Sequence, residues 1–255
     1  MTKQKLEFKG SQGDDLSARL DVPKDGKIKA YALFAHCFTC TKDVFGAANV
    51  AKALVSEGYA VLRFDFTGLG ASEGDFANTN FSSNVQDLIN AADFMRKELE
   101  APKLIIGHSL GGAAVIVATP SIPEIRAVVT IGAPADSTHV AQNFSANMDE
   151  IMNEGEAEVC FIGRPFTIKR QFIQDLEAQN MKHAIETLKT PLLILHTPID
   201  TVVDIENAAQ IFTYAKHPKS FISLDTANHL LSNKKEALYA AHAISGWAER
   251  YMNKD

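Results

Sequence analysis

The sequence holds no apolar run approaching the ~18 residues that a membrane-spanning helix requires. Its opening, Met1-Thr2-Lys3-Gln4-Lys5-Leu6-Glu7, lacks the apolar core of a signal peptide, so a cytoplasmic address and no membrane partner are expected. Cysteine is scarce: Cys37, Cys40 and Cys160 are too few and odd in number, so no disulfide framework is expected in a chain of 255 residues. Cys37 and Cys40 form a C-x-x-C, yet they follow a buried strand and precede a Thr-Lys-Asp turn instead of opening a thioredoxin-like helix. Small-residue packing is therefore expected of them, in preference to redox or zinc chemistry. Basic charge is in deficit as well, with 25 Lys and Arg against 31 Asp and Glu for a net charge of −6. That balance argues against nucleic acid, whose phosphates demand concentrated Lys and Arg. No internal repeat, low-complexity tract or Gly/Pro-rich linker divides the chain.

What the chain does have is a rhythm. Lys5–Pro23 alternates as a hairpin turning near Gly10–Asp15. Short apolar runs follow at Ala30–Phe38, Ala60–Phe66, Lys103–Gly107, Ala127–Gly132, Leu192–His196 and Ser220–Leu224. Unbroken apolarity over a strand's length means burial on both faces, as in a parallel sheet covered by helices. The helices are expected at Phe45–Glu57, Val85–Glu100, Gly111–Ala118, Ile205–Lys216 and Lys234–Met252. Apolar residues of the second recur at three- and four-residue steps, with Asn84 as its expected cap. Alternating strands and helices give an α/β fold with a mostly parallel, doubly wound sheet.

Residues 133–191 break the rhythm, being too long for a crossover loop. They contain an amphipathic stretch at Val140–Asn153, paired runs at Val159–Ile162 and Phe166–Lys169, and a helix candidate at Arg170–Glu186. The expected organisation is a core of residues 1–136 and 190–255 with a small cap, 137–189, inserted over the sheet's carboxyl edge.

The most informative segment is Ile105-Ile106-Gly107-His108-Ser109-Leu110-Gly111-Gly112. A buried strand ends, a Gly-x-Ser-x-Gly turn follows, and a helix of small residues begins. A serine at the tip of such a bend projects above the sheet at a helix N-terminus, where developing negative charge is favoured. Its hydroxyl needs a base to accept its proton. Of the eight histidines, His229 lies in the loop after the last strand, at the carboxyl edge where an open α/β sheet puts its site. His139 and His183 fall in the cap, His196 ends a strand, and His217 and His242 fall on helices. A carboxylate should orient that base. Asp200, after the strand Leu192–His196, is the first candidate, with Asp204 as an expected helix cap and Asp225 as a further alternative. Two backbone donors would complete the site: Leu110 N–H, and Phe38 N–H from the loop Ala35-His36-Cys37-Phe38-Thr39, with Cys37 one residue away.

Taken together, Gly107–Gly112, the loop Asp65-Phe66-Thr67-Gly68-Leu69-Gly70-Ala71-Ser72, Asp200-x-x-Val203 and Asn228-His229 resemble the α/β-hydrolase superfamily across almost the whole chain. Ala35–Cys40 and Gly163–Ile168 resemble more narrowly a bacterial subgroup sometimes fused to an OsmC-type peroxidase domain. The chain ends soon after its last helix, so that second domain is expected to be absent. His-Cys-Phe stands where many relatives carry His-Gly, which puts a side chain at Cys37 beside the pocket. The resemblance implies a serine esterase that cleaves small to medium carboxylic esters through an acyl-enzyme, with Ser109, His229 and Asp200 as its triad. It implies no metal and no organic cofactor, and makes the Asp65 loop turn chemistry instead of a phosphate cradle. Peptidase, amidase or acyltransferase chemistry on the same triad is the alternative. Ser109 argues against dehalogenases and epoxide hydrolases, whose nucleophile is an Asp. Phe38, Phe144, Met148, Phe161 and Phe166 are the expected lining of the substrate pocket, with Met152 beside them.

Overall fold

A computed structural model describes residues 1–161 and 163–252. The chain opens with an antiparallel hairpin of β1 (Thr2–Lys9) and β2 (Asp15–Val22), paired from Thr2 opposite Val22 to Lys9 opposite Asp15. β3 (Ala30–Ala35), α1 (Phe45–Ser56) and β4 (Tyr59–Phe64) follow. Then come α2 (Phe81–Glu98), β5 (Leu104–His108), α3 (Leu110–Ala118) and β6 (Ala127–Ile131).

An insertion interrupts the alternation. A 3-10 stretch, Ser137–Asn147, runs into α4 (Met148–Glu154), a two-stranded ribbon of β7 (Glu156–Phe161) and β8 (Arg164–Lys169), and two short helices, α5 (Arg170–Ala178) and α6 (Met181–Thr187). The chain then returns through β9 (Leu192–His196), α7 (Glu206–Tyr214), β10 (Lys219–Ser223) and α8 (Lys234–Met252).

The large sheet has the order β1-β2-β4-β3-β5-β6-β9-β10, antiparallel only through the hairpin and parallel from β4 to β10. Its central strands are buried on both faces because alternate side chains enter different cores. Leu33 and Ala35 join the core that includes α2, α3 and α7, while Ala32 and Phe34 join the one under α1 and α8. The unbroken apolar runs of the central strands therefore mean burial on both faces, whereas the last, Ser220–Leu224, forms the edge strand β10, where Phe221 is exposed. This is an α/β-hydrolase fold with helices on both faces of a mostly parallel sheet.

Several boundaries differ from expectation for local reasons. α2 begins one turn early, at Phe81 instead of Val85, because Asn80 is the cap. The Asn80 side chain accepts from Ser83 N–H at 2.8 Å, while the Ser83 hydroxyl meets the Asn80 N–H at 2.9 Å. Two orphan donors are thereby satisfied by a reciprocal pair. Asn84, expected to cap, lies within the helix. The expected helix over Arg170–Glu186 is broken by Gln179 and Asn180, the latter capping α6 through His183 N–H. His217 stands outside any helix, ahead of β10. The end of the expected Val159–Ile162 run lies outside the described residues.

The insertion shares the sheet's core. Phe144, Ile151, Phe172 and Leu176 are fully buried in the cluster that also holds Leu110 and Ala113 of α3. It thus sits against the end of the sheet from which Ser109 emerges.

Candidate active site

Ser109 stands between the end of β5 and the start of α3 with φ 55° and ψ −127°. A positive φ in a non-glycine residue is strained and persists only where the surroundings enforce it. Here they do. Ser109 N–H donates to Ile131 O at 2.9 Å, and its carbonyl accepts from Gly112 N–H at 2.8 Å. Crowding dictates the flanking glycines: a Cβ on Gly107 would lie 2.2 Å from Gly111 O, and one on Gly111 would lie 2.4 Å from His36 O. Gly111 therefore lets α3 close directly onto the loop after β3.

His229 is delivered by the loop between β10 and α8. Its Nδ1–H donates to Asp200 Oδ2 at 2.8 Å, with the Asp200 side chain wholly buried. The other oxygen, Oδ1, accepts from Val202 N–H and Val203 N–H, each at 2.9 Å. Burial alone would raise the Asp200 pKa, but His229 and these backbone donors outweigh it and hold the carboxyl below its ordinary range. Asp200 therefore remains an anion, which fixes the ring so that Nε2 is the free, basic nitrogen.

Two further histidines brace this side. His108 Nε2–H donates to the His229 carbonyl at 2.7 Å. Burial, with the neighbouring His229 adding to it, pushes the His108 pKa down to about 3. His196 Nε2–H donates to Val203 O at 2.8 Å, and burial lowers its pKa too. The rejected acids are elsewhere: Asp204 accepts from Glu206 N–H beside the start of α7, and Asp225 is exposed beyond the end of β10.

The loop after β3 forms the opposite wall. Cys37 and Cys40 are joined by a disulfide, their Cα atoms 5.3 Å apart, which corrects the expectation of mere packing. Cys40 N–H donates to Cys37 O at 3.1 Å, so residues 37–40 form a closed turn. His36 is buried and its Nδ1–H donates to the same Cys37 carbonyl at 2.7 Å. Downstream, Lys42 is bound twice to Asp65, through its backbone N–H and its ammonium, both at 2.5 Å. Asp65 also accepts from Ala71 N–H at 2.9 Å. The Asp65 loop is an anchor for this turn. Inside the turn, the Phe38 ring meets Phe76, Phe144, Phe161 and Phe172 at centroid distances of 5.7, 6.0, 5.6 and 5.6 Å. The insertion is keyed to the loop through that one ring.

Ser109 and His229 open on one cleft of about 280 Å³, although no hydrogen bond joins their side chains among the described residues. Such contacts are often long in an unliganded enzyme. Leu110 and Phe38 flank the same cleft. Of the expected pocket residues, Phe38 and Phe161 line it, but Phe144, Met148 and Phe166 do not. Phe144 is fully buried behind Phe38, Met148 packs on the core, and Phe166 meets Phe76 edge to face beside a separate depression. Met152 is exposed. In their place stand Pro134, His139, Val140, Asn143, Val202 and Leu230. Val202 and Leu230 follow Asp200 and His229 so closely that loop position was the available signal. His139, Val140 and Asn143 carried none beyond their place in the insertion. Among the described residues, no group of three or more His, Cys, Asp or Glu is arranged to hold a metal, and no helix is long and apolar enough to cross a membrane.

Solved structures place this fold among known hydrolases. The esterase domain of a Rhodothermus marinus protein is 46% identical, with a TM-score of 0.80 over 99% of this chain and 100% of that one. Est1E of Butyrivibrio proteoclasticus, solved with ferulic acid, shares the fold at 20% identity with a TM-score of 0.79, covering 97% and 99% of the two chains. Among curated proteins, the mouse mitochondrial palmitoyl-protein thioesterase ABHD10 is 27% identical over 172 residues, 65% of this chain. The match spans 57% of that relative's length. Residues 26–156, just over half of the 255, match the profile of the Hydrolase_4 family, described as serine aminopeptidase, S33. With that match and this fold, the chain belongs to the Hydrolase_4 family of α/β hydrolases.

Proposed function

We propose that this hydrolase is a serine carboxylesterase acting on small to medium acyl esters through an acyl-enzyme. One observation carries the reading: a strained Ser109 shares an apolar cleft with His229, whose Nδ1 is held by a buried Asp200. In this reading His229 Nε2 takes the Ser109 proton as Oγ attacks the ester carbonyl, and Asp200 stabilises the imidazolium that forms. The negative charge appears on the former carbonyl oxygen, where Phe38 N–H and Leu110 N–H receive it. Each such donor is worth about 2.7–4 kcal/mol of barrier. Collapse expels the alcohol with the proton from His229. Water then repeats the sequence and frees Ser109. The cleft lies just below the ~300–1,000 Å³ usual for ligand sites, which favours acyl groups of modest length.

Two observations bear on rivals. The family description names an aminopeptidase, but recognising a free α-amino group calls for a carboxylate, and none is among the cleft's lining residues. The mouse relative's name specifies a palmitoyl thioester; acyl thioesters suit the same apolar walls and are the second reading. The insertion 137–189 acts in this reading as a cap, and the likeness of Ala35–Cys40 and Gly163–Ile168 to the OsmC-associated subgroup, like a cytoplasmic address, belongs to the same proposal. The test is a panel of p-nitrophenyl esters of increasing chain length, acyl thioesters and aminoacyl amides. Esters should turn over with an optimum at short to medium chains, and Ser109→Ala should lose about six orders of magnitude in kcat. Turnover of the amides alone would overturn the ester reading.

A further inference from the structure

We propose that the Cys37–Cys40 disulfide is a redox-sensitive clamp on the oxyanion-binding turn, so that the hydrolase is fully active only when the pair is oxidised. The inference rests on the esterase reading above, because it assigns the Phe38 N–H its role as donor. Three observations place the bond there. Both sulfur-bearing residues line the cleft that holds Ser109 and His229, and Phe38 lies between them in sequence. The turn they close contains Thr39 at φ 57°, a left-handed conformation that a β-branched residue resists and that this turn position normally reserves for glycine. Thr39 is buried, and its hydroxyl donates locally, to Phe38 O at 2.7 Å. Something must therefore hold the turn. Upstream, His36 grips the Cys37 carbonyl, which shares a planar peptide unit with the Phe38 N–H, and downstream Asp65 grips Lys42, beyond the turn. Within the turn, the Cys40-to-Cys37 backbone hydrogen bond acts on that same peptide plane, the Phe38 ring packs among Phe76, Phe144, Phe161 and Phe172, and the disulfide is the one covalent tie between the turn's two ends.

The chemistry is a two-electron exchange. A dithiol reductant attacks one sulfur, the S–S bond breaks, and the resulting mixed disulfide is resolved by the reductant's second thiol. Cys37 and Cys40 each gain a hydrogen, and the reductant leaves as its own disulfide. Cys40 is half-buried at the wall of the cleft, so a small dithiol can reach the bond. With the bond open, Thr39 is free to leave φ 57°, the Cys40 end of the turn loses its covalent tie, and the Phe38 peptide, left to the His36 bond and its ring packing, ranges over more directions. Losing one oxyanion donor outright costs about 10²–10³ in kcat. A loosened donor still visits its position, so a fall of about tenfold to a hundredfold in kcat is expected. KM should move little, because the donor acts on the developing oxyanion more than on the bound ester.

The test compares the purified full chain, oxidised with diamide and then reduced with dithiothreitol, on p-nitrophenyl butyrate with free thiols counted at each stage. The count should pass from one thiol, Cys160, to three as kcat falls, and re-oxidation should restore both. Cys37→Ser/Cys40→Ser should have the low kcat throughout and ignore the reductant. Adding Thr39→Gly to that double variant should recover several-fold in kcat, since glycine adopts the turn without a clamp. A role in folded stability alone would move the melting temperature but not produce that rescue. Three free thiols after diamide, or a kcat unchanged within twofold on reduction, overturns the clamp while leaving the esterase reading intact. Failure of the oxidised chain to hydrolyse any ester or to be labelled at Ser109 by a fluorophosphonate would instead overturn the esterase reading itself.

Discussion

The two walls of the cleft are held by different means. The His229 side is a web of hydrogen bonds: Asp200 to the His229 ring, His108 to the His229 backbone, and His196 to Val203, next to the N–H groups that bind Asp200. Each partner is a neutral or singly charged side chain meeting a backbone or ring atom at 2.7–2.9 Å. The Phe38 side has one such bond, His36 to the Cys37 carbonyl, and adds a covalent bond and a buried ion pair, Lys42 with Asp65, whose side chains are 8% and 1% exposed. A second pair, Arg63 with Asp21, lies behind it, and Arg63 also donates to the Lys42 carbonyl. In the proposed mechanism the difference follows from what each wall must do. A base has to rock between protonation states, which a hydrogen-bonded ring permits. An oxyanion donor is useful only if it does not reorganise as charge develops.

That contrast can be broken from either side. The largest expected effect is on the His229 wall: Asp200→Asn should lower kcat by about 10⁴, with the protein folded as judged by near-UV circular dichroism, because the imidazole loses its enforced tautomer. On the opposite wall, Lys42→Met leaves the Asp65 carboxylate buried without its cation. The expected cost is about 3–5 kcal/mol of stability in urea unfolding, as for other broken buried pairs. A loss below 1 kcal/mol there would mean that the pair is not an anchor.

A third effect reads the buried histidines of both walls by pH. The folded His108 pKa of about 3 lies well below the ordinary value of 6.5, so the unfolded chain binds the extra proton between those limits. Stability is then complete above pH 6.5 and drains away as pH falls toward 3, at up to about 1.4 kcal/mol per pH unit from this group. His196 and His36, both lowered by burial, act in the same direction. His108→Gln, which keeps a donor for the His229 carbonyl, should flatten the acid limb of a stability-versus-pH curve measured by urea titration. An unchanged slope would show that His108 is not held neutral. The smallest effect is in the pocket. Phe161→Ala should shift the preferred acyl chain upward by one or two methylenes, each worth about 0.8 kcal/mol, whereas Phe166→Ala, which lies off the cleft, should leave the profile in place.

How much of this was legible in the sequence depended on whether the signal was local. The buried strands announced themselves, and Leu192–His196 has the bounds its apolar run suggested. Ser109, Asp200 and His229 could be named because each follows a strand at the same edge of the sheet, so chain order stood in for position. α2 was misjudged by a turn because Ser82, Ser83 and Asn84 interrupt the apolar period between Phe81 and Val85, hiding a cap that only hydrogen-bond geometry reveals. The Cys37–Cys40 bond is not legible because three cysteines make no disulfide framework, while a C-x-x-C needs only a tight turn to close on itself. Phe144, Met148 and Phe166 looked like a pocket because they are large and apolar. Whether such a side chain faces a cleft or a core is decided by the packing of the insertion, which period and composition do not encode.

The central claim is that the Ser109 hydroxyl is the nucleophile, and covalent capture tests it most directly. Treated with a fluorophosphonate and digested, the chain should carry a single adduct on the peptide containing Ser109, and Ser109→Ala should carry none. An adduct on another residue, or undiminished ester hydrolysis by Ser109→Ala, would contradict the account.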